Sequence, residues 1–477
     1  MPVELFIEFH EYFLSFLCKL INLSFSTGIF PDCLKTAKVT PIYKNGDKNN
    51  VGSYRPISVL PFLSKIFERS IFNRMLAFLN KFSIISPSQF GFLPGKSTSD
   101  AIIKFTEFIY ESLNYKKSCL NIFIDFSKAF DTINHDILLR KLELYGIRGN
   151  ALRLLRSYLL DRKQCVRIGN ILSTYRDVKI GVPQGSILGP LLFLLYINDL
   201  SSISNLCLPI LYADDTTICL KNSSITDLIH NANLILNNLF LWTTANRISL
   251  NIDKTFFLFV STCSDPIETD CLKLNNQIIQ CKKSGKFLGV IIDDKLKFNL
   301  HINSICNKVS KSIGIMHRLR YMLPTNCLFT LYYSFIYPYL MYCNLVWGGT
   351  YVTHLEPLFK LQKKAVRLIH NSDYLSHTNN LFLNSKLLKL EDIYNYQLGV
   401  FMFKNEMSVN FERQHSYNTR YRNELLPQFN RLTLGQHSVF YRGPKLWNEI
   451  PTRIKHCTSV QAFKYHLKLY LLSKYND

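Results

Sequence analysis

The sequence predicts an α+β fold, and two observations lead there. First, β-prone runs and helical periods follow one another without the regular βαβ alternation of a doubly wound sheet. Second, residues 206–221 read as strand, tight turn and strand, with apolar residues up to Tyr212 and two adjacent acids, Asp214 and Asp215, at the tip.

Taken from the N-terminus, residues 1–36 read mainly as amphipathic helix: Phe13, Leu17, Leu20 and Ile21 share a face, and Gly28 and Pro31 end it. Residues 38–43 alternate as a strand, and the polar run 44–53 is a loop. A helix spans 63–82 with Lys65, Arg69 and Arg74 on its polar side. The Ile- and Phe-rich run 119–126 reads as a buried strand. Helices follow near 134–145 and 148–160, the first capped by Asn134 or Asp131, with His135 given no catalytic work. Runs 164–169 and 177–182 suggest a hairpin, and a long apolar helix fills 187–200. After the acidic turn come a helix near 224–247 and a strand at 256–260.

Composition narrows the class. With 47% hydrophobic and 19% charged residues, the 477-residue chain is too apolar for wholesale disorder and too long for one ordinary domain. Lysine and arginine number 56 against 34 acids, a net charge of +22 that attracts polyanions. Cys263, Cys271 and Cys281 lack the spacing and histidines of a zinc knuckle, and the 13 scattered cysteines read as free thiols of a reducing compartment. The first 30 residues carry Glu4, Glu8 and Glu11 where a signal peptide would be basic. The most membrane-like run, 328–347, is broken by Pro338 and Asn344 and reads as a buried aromatic helix pair. These features predict a cytoplasmic or nuclear protein with no membrane partner, whose basic charge serves nucleic acid. Nothing in them sets an oligomeric state.

The chemistry starts from the aspartates. Two-metal nucleotidyl transfer needs carboxylates that hold two ions about 4 Å apart, and magnesium takes hard oxygen ligands, one or two carboxylates plus substrate phosphates. Asp125 ends the 119–126 strand and Asp214 and Asp215 occupy a turn. If the two strands are neighbours, the acids meet. Alone, an Asp-Asp turn says little, because turns favour aspartate for local hydrogen bonding.

The surrounding motifs say more. Ile124-Asp125-Phe126-Ser127-Lys128-Ala129-Phe130-Asp131 precedes Gly181-Val182-Pro183-Gln184-Gly185-Ser186 and then Leu211-Tyr212-Ala213-Asp214-Asp215. Pro41-Ile42-Tyr43-Lys44, Ser53-Tyr54-Arg55-Pro56, Gln89-Phe90-Gly91-Phe92 with Gly95-Lys96-Ser97-Thr98, and Lys286-Phe287-Leu288-Gly289 occur in matching order. Over about residues 25–345 the chain resembles the reverse transcriptases of non-LTR (LINE-type) retrotransposons, in particular the jockey-like elements.

The resemblance implies a right-hand polymerase of fingers, palm and thumb, working with two Mg2+ ions (Mn2+ able to substitute), an RNA template, a DNA primer and deoxynucleoside triphosphates. It places Asp125, Asp214 and Asp215 as metal ligands, Asp215 acting more through its field. Lys254 matches a lysine that protonates departing pyrophosphate, or else pairs on the surface with Asp253. Lys44 and Arg55 match triphosphate-binding finger residues. Phe130 falls where a ring closes against the sugar 2′ position, or is an ordinary core aromatic. Gln184 suits the incoming nucleotide, or bridges backbone in a tight loop. Lys65, Arg69, Gly91, Gly95 and Lys96 are candidates for template contact. The bland alternatives are a solvated helix face and local turn geometry.

The expected layout is an N-terminal extension (1–36), fingers and palm (37–280), a thumb-like basic helical region (281–380) and a helical, basic C-terminal extension (381–477). The last suits nucleic-acid binding and packing equally. Neither an endonuclease nor an RNase H acid pattern is expected. Two other readings stand beside an active polymerase: a decayed or domesticated nucleic-acid-binding copy, and a group II intron-type maturase.

Overall fold

The computed structural model describes residues 3–262, 270–405 and 425–475, which leaves Cys263 outside the described residues. Helix α1 (His10–Thr27) ends on Gly28, whose φ of 72° supplies the left-handed cap expected there. β1 (Thr36–Tyr43) and β2 (Tyr54–Val59) form an antiparallel hairpin around the polar loop. Helix α2 (Phe62–Lys81) follows, then α3 (Thr98–Asn114), which opens on a reciprocal capping box between Ser97 and Asp100. Neither β2 nor α3 stood out in the sequence: Arg55, Pro56 and Ser58 interrupt the apolar alternation of the first.

β1 pairs in parallel with β4 (Arg162–Ile168), and β4 pairs with β5 (Arg176–Val178). The expected hairpin therefore forms, but its second strand stops at Val178 rather than reaching residue 182. Gly181 instead donates its N–H to Ile133 O at 2.8 Å, which pulls the chain away from the sheet.

The central sheet decides everything near the site. β3 (Ser118–Ile124) is buried along its whole length. After the fully apolar helix α4 (Leu188–Ile197) come β6 (Leu208–Tyr212), β7 (Asp215–Asn222) and β8 (Phe256–Val260). The sheet order is Gln280–Cys281, β8, β3, β7, β6. Side chains on β3 alternate between two cores, as a strand's two-residue period demands. Leu120, Ile122 and Ile124 join the cluster that includes α2 and α4; Cys119 and Phe123 join the one that includes α3. A sheet covered on both faces explains why the run lacks polar alternation.

The second core does not break at residue 280 or 380. The hairpin β9 (Ser284–Phe287) and β10 (Val290–Asp293) packs Phe287 against Phe105 and Phe123, with ring centroids 5.4 and 5.6 Å apart. Helices α5 (Leu390–Asn405), α6 (Val439–Glu449) and α7 (Val460–Ser473) add Trp447, Phe463, Leu467 and Leu471 to the same cluster. The described apolar residues of the C-terminal segment thus pack into this core. Residues 328–347 form three short helices (Thr325–Phe335, Tyr337–Met341, Asn344–Trp347) rather than a pair, because Pro338 starts a new first turn and Cys343 takes a φ of 48°. No described helix is long and apolar enough to cross a membrane, and every described cysteine is free.

Polar contacts seal the C-terminal joint. Ser438 Oγ donates to Glu107 Oε2 on α3 at 2.7 Å, while Asn114 Nδ2 donates to Phe429 O and its Oδ1 accepts from Arg431 N. Burial pushes the Glu107 carboxyl from 4.5 up to about 7, against the lowering effect of its Ser438 and Val439 hydrogen bonds. Between those two pH values the unfolded chain releases this proton and the folded chain keeps it. This group's contribution to stability therefore falls as pH rises through the window and is flat above it. Glu107→Gln should remove that slope; urea denaturation of parent and variant at pH 5 and pH 8 measures it, and equal slopes would refute it.

Candidate active site

The site lies at one end of the central sheet. Ile124 faces Thr216 across β3 and β7, so Asp125, one residue on, emerges beside Asp215. β6 and β7 are joined by Ala213 and Asp214, with Tyr212 opposite Asp215. Ala213 is buried and adopts a φ of 55°, a left-handed conformation that a residue with a Cβ takes only at a cost of about 1–2 kcal/mol. The strand before it is held from outside: Phe90 N donates to Leu211 O at 2.8 Å and Leu211 N to Ser88 O at 2.9 Å.

Asp214 and Asp215 are open to solvent on one side. Burial nonetheless raises both carboxyls, and charge crowding adds to it: Asp125 acts on Asp214, and Asp214 then Asp125 act on Asp215. Arg55 and Lys44 pull Asp214 back down, and Lys44 does so for Asp215. These cations stand on and just past the β1–β2 hairpin, where Arg55 pairs with Ile42 and Lys44 N donates to Ser53 O. Fingers and acid turn thus face one another. Lys254 Nζ lies 3.7 Å from Asp125 Oδ2, so its partner is this aspartate and not its neighbour Asp253. The loop carrying it is tied down by Asn251 N donating to Asp125 O and by Asp125 N donating to Thr255 Oγ1.

Phe130 is half-buried, stacked on Phe193 at 4.5 Å and set edge-on to Phe92 at 6.2 Å. Gln184 donates through Nε2 to Asp131 Oδ1 at 2.8 Å, and its backbone carbonyl accepts Ser58 N at 2.7 Å. Gly185, at φ 116°, lies so close that a Cβ would stand 2.8 Å from Ser58 O. Asp131 is therefore an orienting partner of Gln184, and the helix cap is Asn134, which accepts Ile137 N. Sequence reasoning had offered Asp131 only as a cap, since a partner 53 residues away leaves no local signal. His135 Nε2 sits 2.8 Å from Gly181 O, a packing contact.

The candidates for template contact divide. Lys65 and Arg69 are exposed on α2, Arg69 lying over Phe72, whereas Arg74 stacks on Phe25 of α1 at 4.0 Å. Gly91 touches the acidic turn itself: a Cβ there would stand 2.4 Å from Ala213 N. Gly95 has a φ of 79° and open space around it, as a turn glycine would. Lys96 is committed internally, its Nζ donating to Gln89 O at 2.6 Å and Pro87 O at 3.1 Å, and burial lowers its pKa.

Residues 42–292 match the family described as Reverse transcriptase (RNA-dependent DNA polymerase). This chain belongs to the reverse transcriptase family. It is similar to the RNA-directed DNA polymerase from mobile element jockey of Drosophila melanogaster, 29% identical over 394 residues, which cover 80% of this chain and 42% of that protein. The probable polymerases from transposon BS (29%, 79% of this chain, 43% of that protein) and from X-element (27%, 84% and 43%), both of Drosophila melanogaster, are similar too. The likeness to jockey-like non-LTR elements read from the motifs holds. The chain spans less than half the length of these relatives. Among solved structures, apo telomerase from Candida tropicalis aligns with 74% of this chain and 61% of its own at a TM-score of 0.43 and 12% identity.

The matched span contains each residue expected to bind metal or nucleotide, from Lys44 to Lys254. Reverse transcriptases as a family work with divalent cations. Among the described residues no three His, Cys, Asp or Glu side chains converge on a ready-made metal cluster. The crowded Asp125 and Asp214 nevertheless fit a magnesium site, which needs only one or two carboxylates before substrate phosphates complete it. Such crowding predicts that Asp214→Asn raises the denaturation midpoint in divalent-free buffer by on the order of 1–2 °C. Calorimetry with and without Mg2+ checks this, and a lower midpoint would contradict it.

Proposed function

We propose that this chain extends the 3′-hydroxyl of a DNA primer with deoxynucleotides on an RNA template. One observation carries the reading: three aspartates crowd the end of a sheet, opposite Lys44 and Arg55. Asp125 and Asp214 would hold two Mg2+ ions, with Asp215 adding negative field and Mn2+ able to substitute. Bound there, the ions would activate the primer hydroxyl and neutralise charge on the departing pyrophosphate.

The chain's own groups supply the rest. Lys44 offers a point charge and Arg55 a planar fork to the triphosphate. Phe130, braced by Phe193, presents a ring that leaves no room for a sugar 2′-hydroxyl. Gln184 has one amide end fixed by Asp131, which leaves its carbonyl end to accept from the substrate. Lys254, beside Asp125, is placed to give a proton to pyrophosphate. Lys65 and Arg69 add exposed positive charge for template phosphates.

Primer extension on an RNA template tests this. Asp214→Ala should lower the rate on the order of a thousandfold, as expected when several kcal/mol of metal-borne stabilisation is lost. Incorporation that survives the substitution would sink the mechanism, and none in either protein would favour a decayed copy. Phe130→Ala should raise ribonucleotide use roughly ten- to a hundredfold relative to deoxynucleotides. Unchanged sugar selectivity would leave Phe130 a core aromatic.

A further inference from the structure

Gln89 has no part in the mechanism just given, yet it touches the turn that carries Asp214. Its side chain is 2% exposed and lies beneath Ala213. Gln89 Oε1 accepts two backbone N–H groups, from Gly91 at 2.8 Å and from Ala213 at 3.2 Å. Two donors converging on one oxygen settle the amide's orientation, because the reversed group would set its own N–H against both. The segment around it is braced from several sides. Gln89 forms a parallel bridge with Leu211, its backbone carbonyl takes Lys96 Nζ, and Gly91 presses against Ala213 so closely that even a methyl would not fit.

Ala213 needs such support. Its φ of 55° is a conformation that alanine does not choose unaided, and that backbone angle determines where the next residue, Asp214, stands relative to Asp125. An N–H left buried without an acceptor is costly, and losing its partner would let the turn relax. We infer that Gln89 is a positioning residue, whose carbonyl oxygen holds the Ala213 N–H and thereby locks the Asp214–Asp215 turn in register with Asp125. Gly91 is its complement, the position at which absence of a side chain lets the clamp reach the turn. The catalytic part of this inference rests on the polymerase reading; the clamp itself does not.

Two measurements on Gln89→Met, and on Gly91→Ala as a second variant, test it in the full chain. Met has a similar reach and no strong acceptor, and Gly91→Ala keeps the acceptor but displaces the turn. Hydrogen exchange at the Ala213 amide should speed up at least tenfold in both, while the thermal midpoint and exchange in β3 stay near the parent's. In primer extension, kcat should fall ten- to a hundredfold with KM for primer–template within twofold. Unchanged Ala213 exchange, or unchanged kcat, in folded Gln89→Met would overturn the inference. Loss of folding in both variants would also overturn it, making Gln89 a general scaffold residue. A parent without primer extension would fail the polymerase reading alone, since the exchange result still decides the clamp.

Discussion

The structure depends on β3 sitting between β7 and β8 with apolar layers on both faces. Its register with β7 sets Asp125 beside the turn that carries Asp214 and Asp215, so three carboxylates share one edge. Burial raises the Asp214 and Asp215 carboxyls, and repulsion between like charges so placed adds to it. What offsets the repulsion is burial: Leu120, Ile122 and Ile124 on one face and Cys119 and Phe123 on the other are almost wholly removed from water. Burial of each large apolar side chain is worth roughly 1.5–3 kcal/mol, so the double-sided apolar sheet is what holds the acidic edge in place.

Around this edge the fold recruits distant segments. At the start of α4 Ile187 offers no side-chain cap; Ser186 Oγ accepts the Gly189 N–H, and buried Glu68 on α2 accepts those of Ile187 and Leu188. Burial raises the Glu68 carboxyl, and those two hydrogen bonds lower it again. On the opposite face, α3 joins β3 to the C-terminal helices through Phe105, Glu107 and Asn114. Described apolar residues of the C-terminal segment are thus part of the core behind the acidic edge.

Local patterns marked most of this framework. The β3 and β8 strands, the acidic hairpin and helices α1, α2 and α4 follow from periodicities and breakers within a dozen residues. The motif order also tied Asp125, Asp214, Lys44, Arg55, Phe130 and Gln184 to one chemistry. Other features left no local trace. β2 was hidden by Arg55 and Pro56, and α3 was not singled out by any pattern.

By itself the sequence determined the element types, the basic charge, the polymerase motifs and the acids at a strand end and a turn, because each depends on residues near one another. Only the tertiary structure decided that Lys254 meets Asp125, that Asp131 orients Gln184, that Lys96 supports backbone, and that Gln89 and Gly91 grip the turn. Apart from the Lys96 contact, which spans seven to nine residues, each of the last set joins segments far apart in the chain. Side-chain reach and backbone proximity select such partners only once the sheet register is fixed, and no spacing in the sequence encodes them.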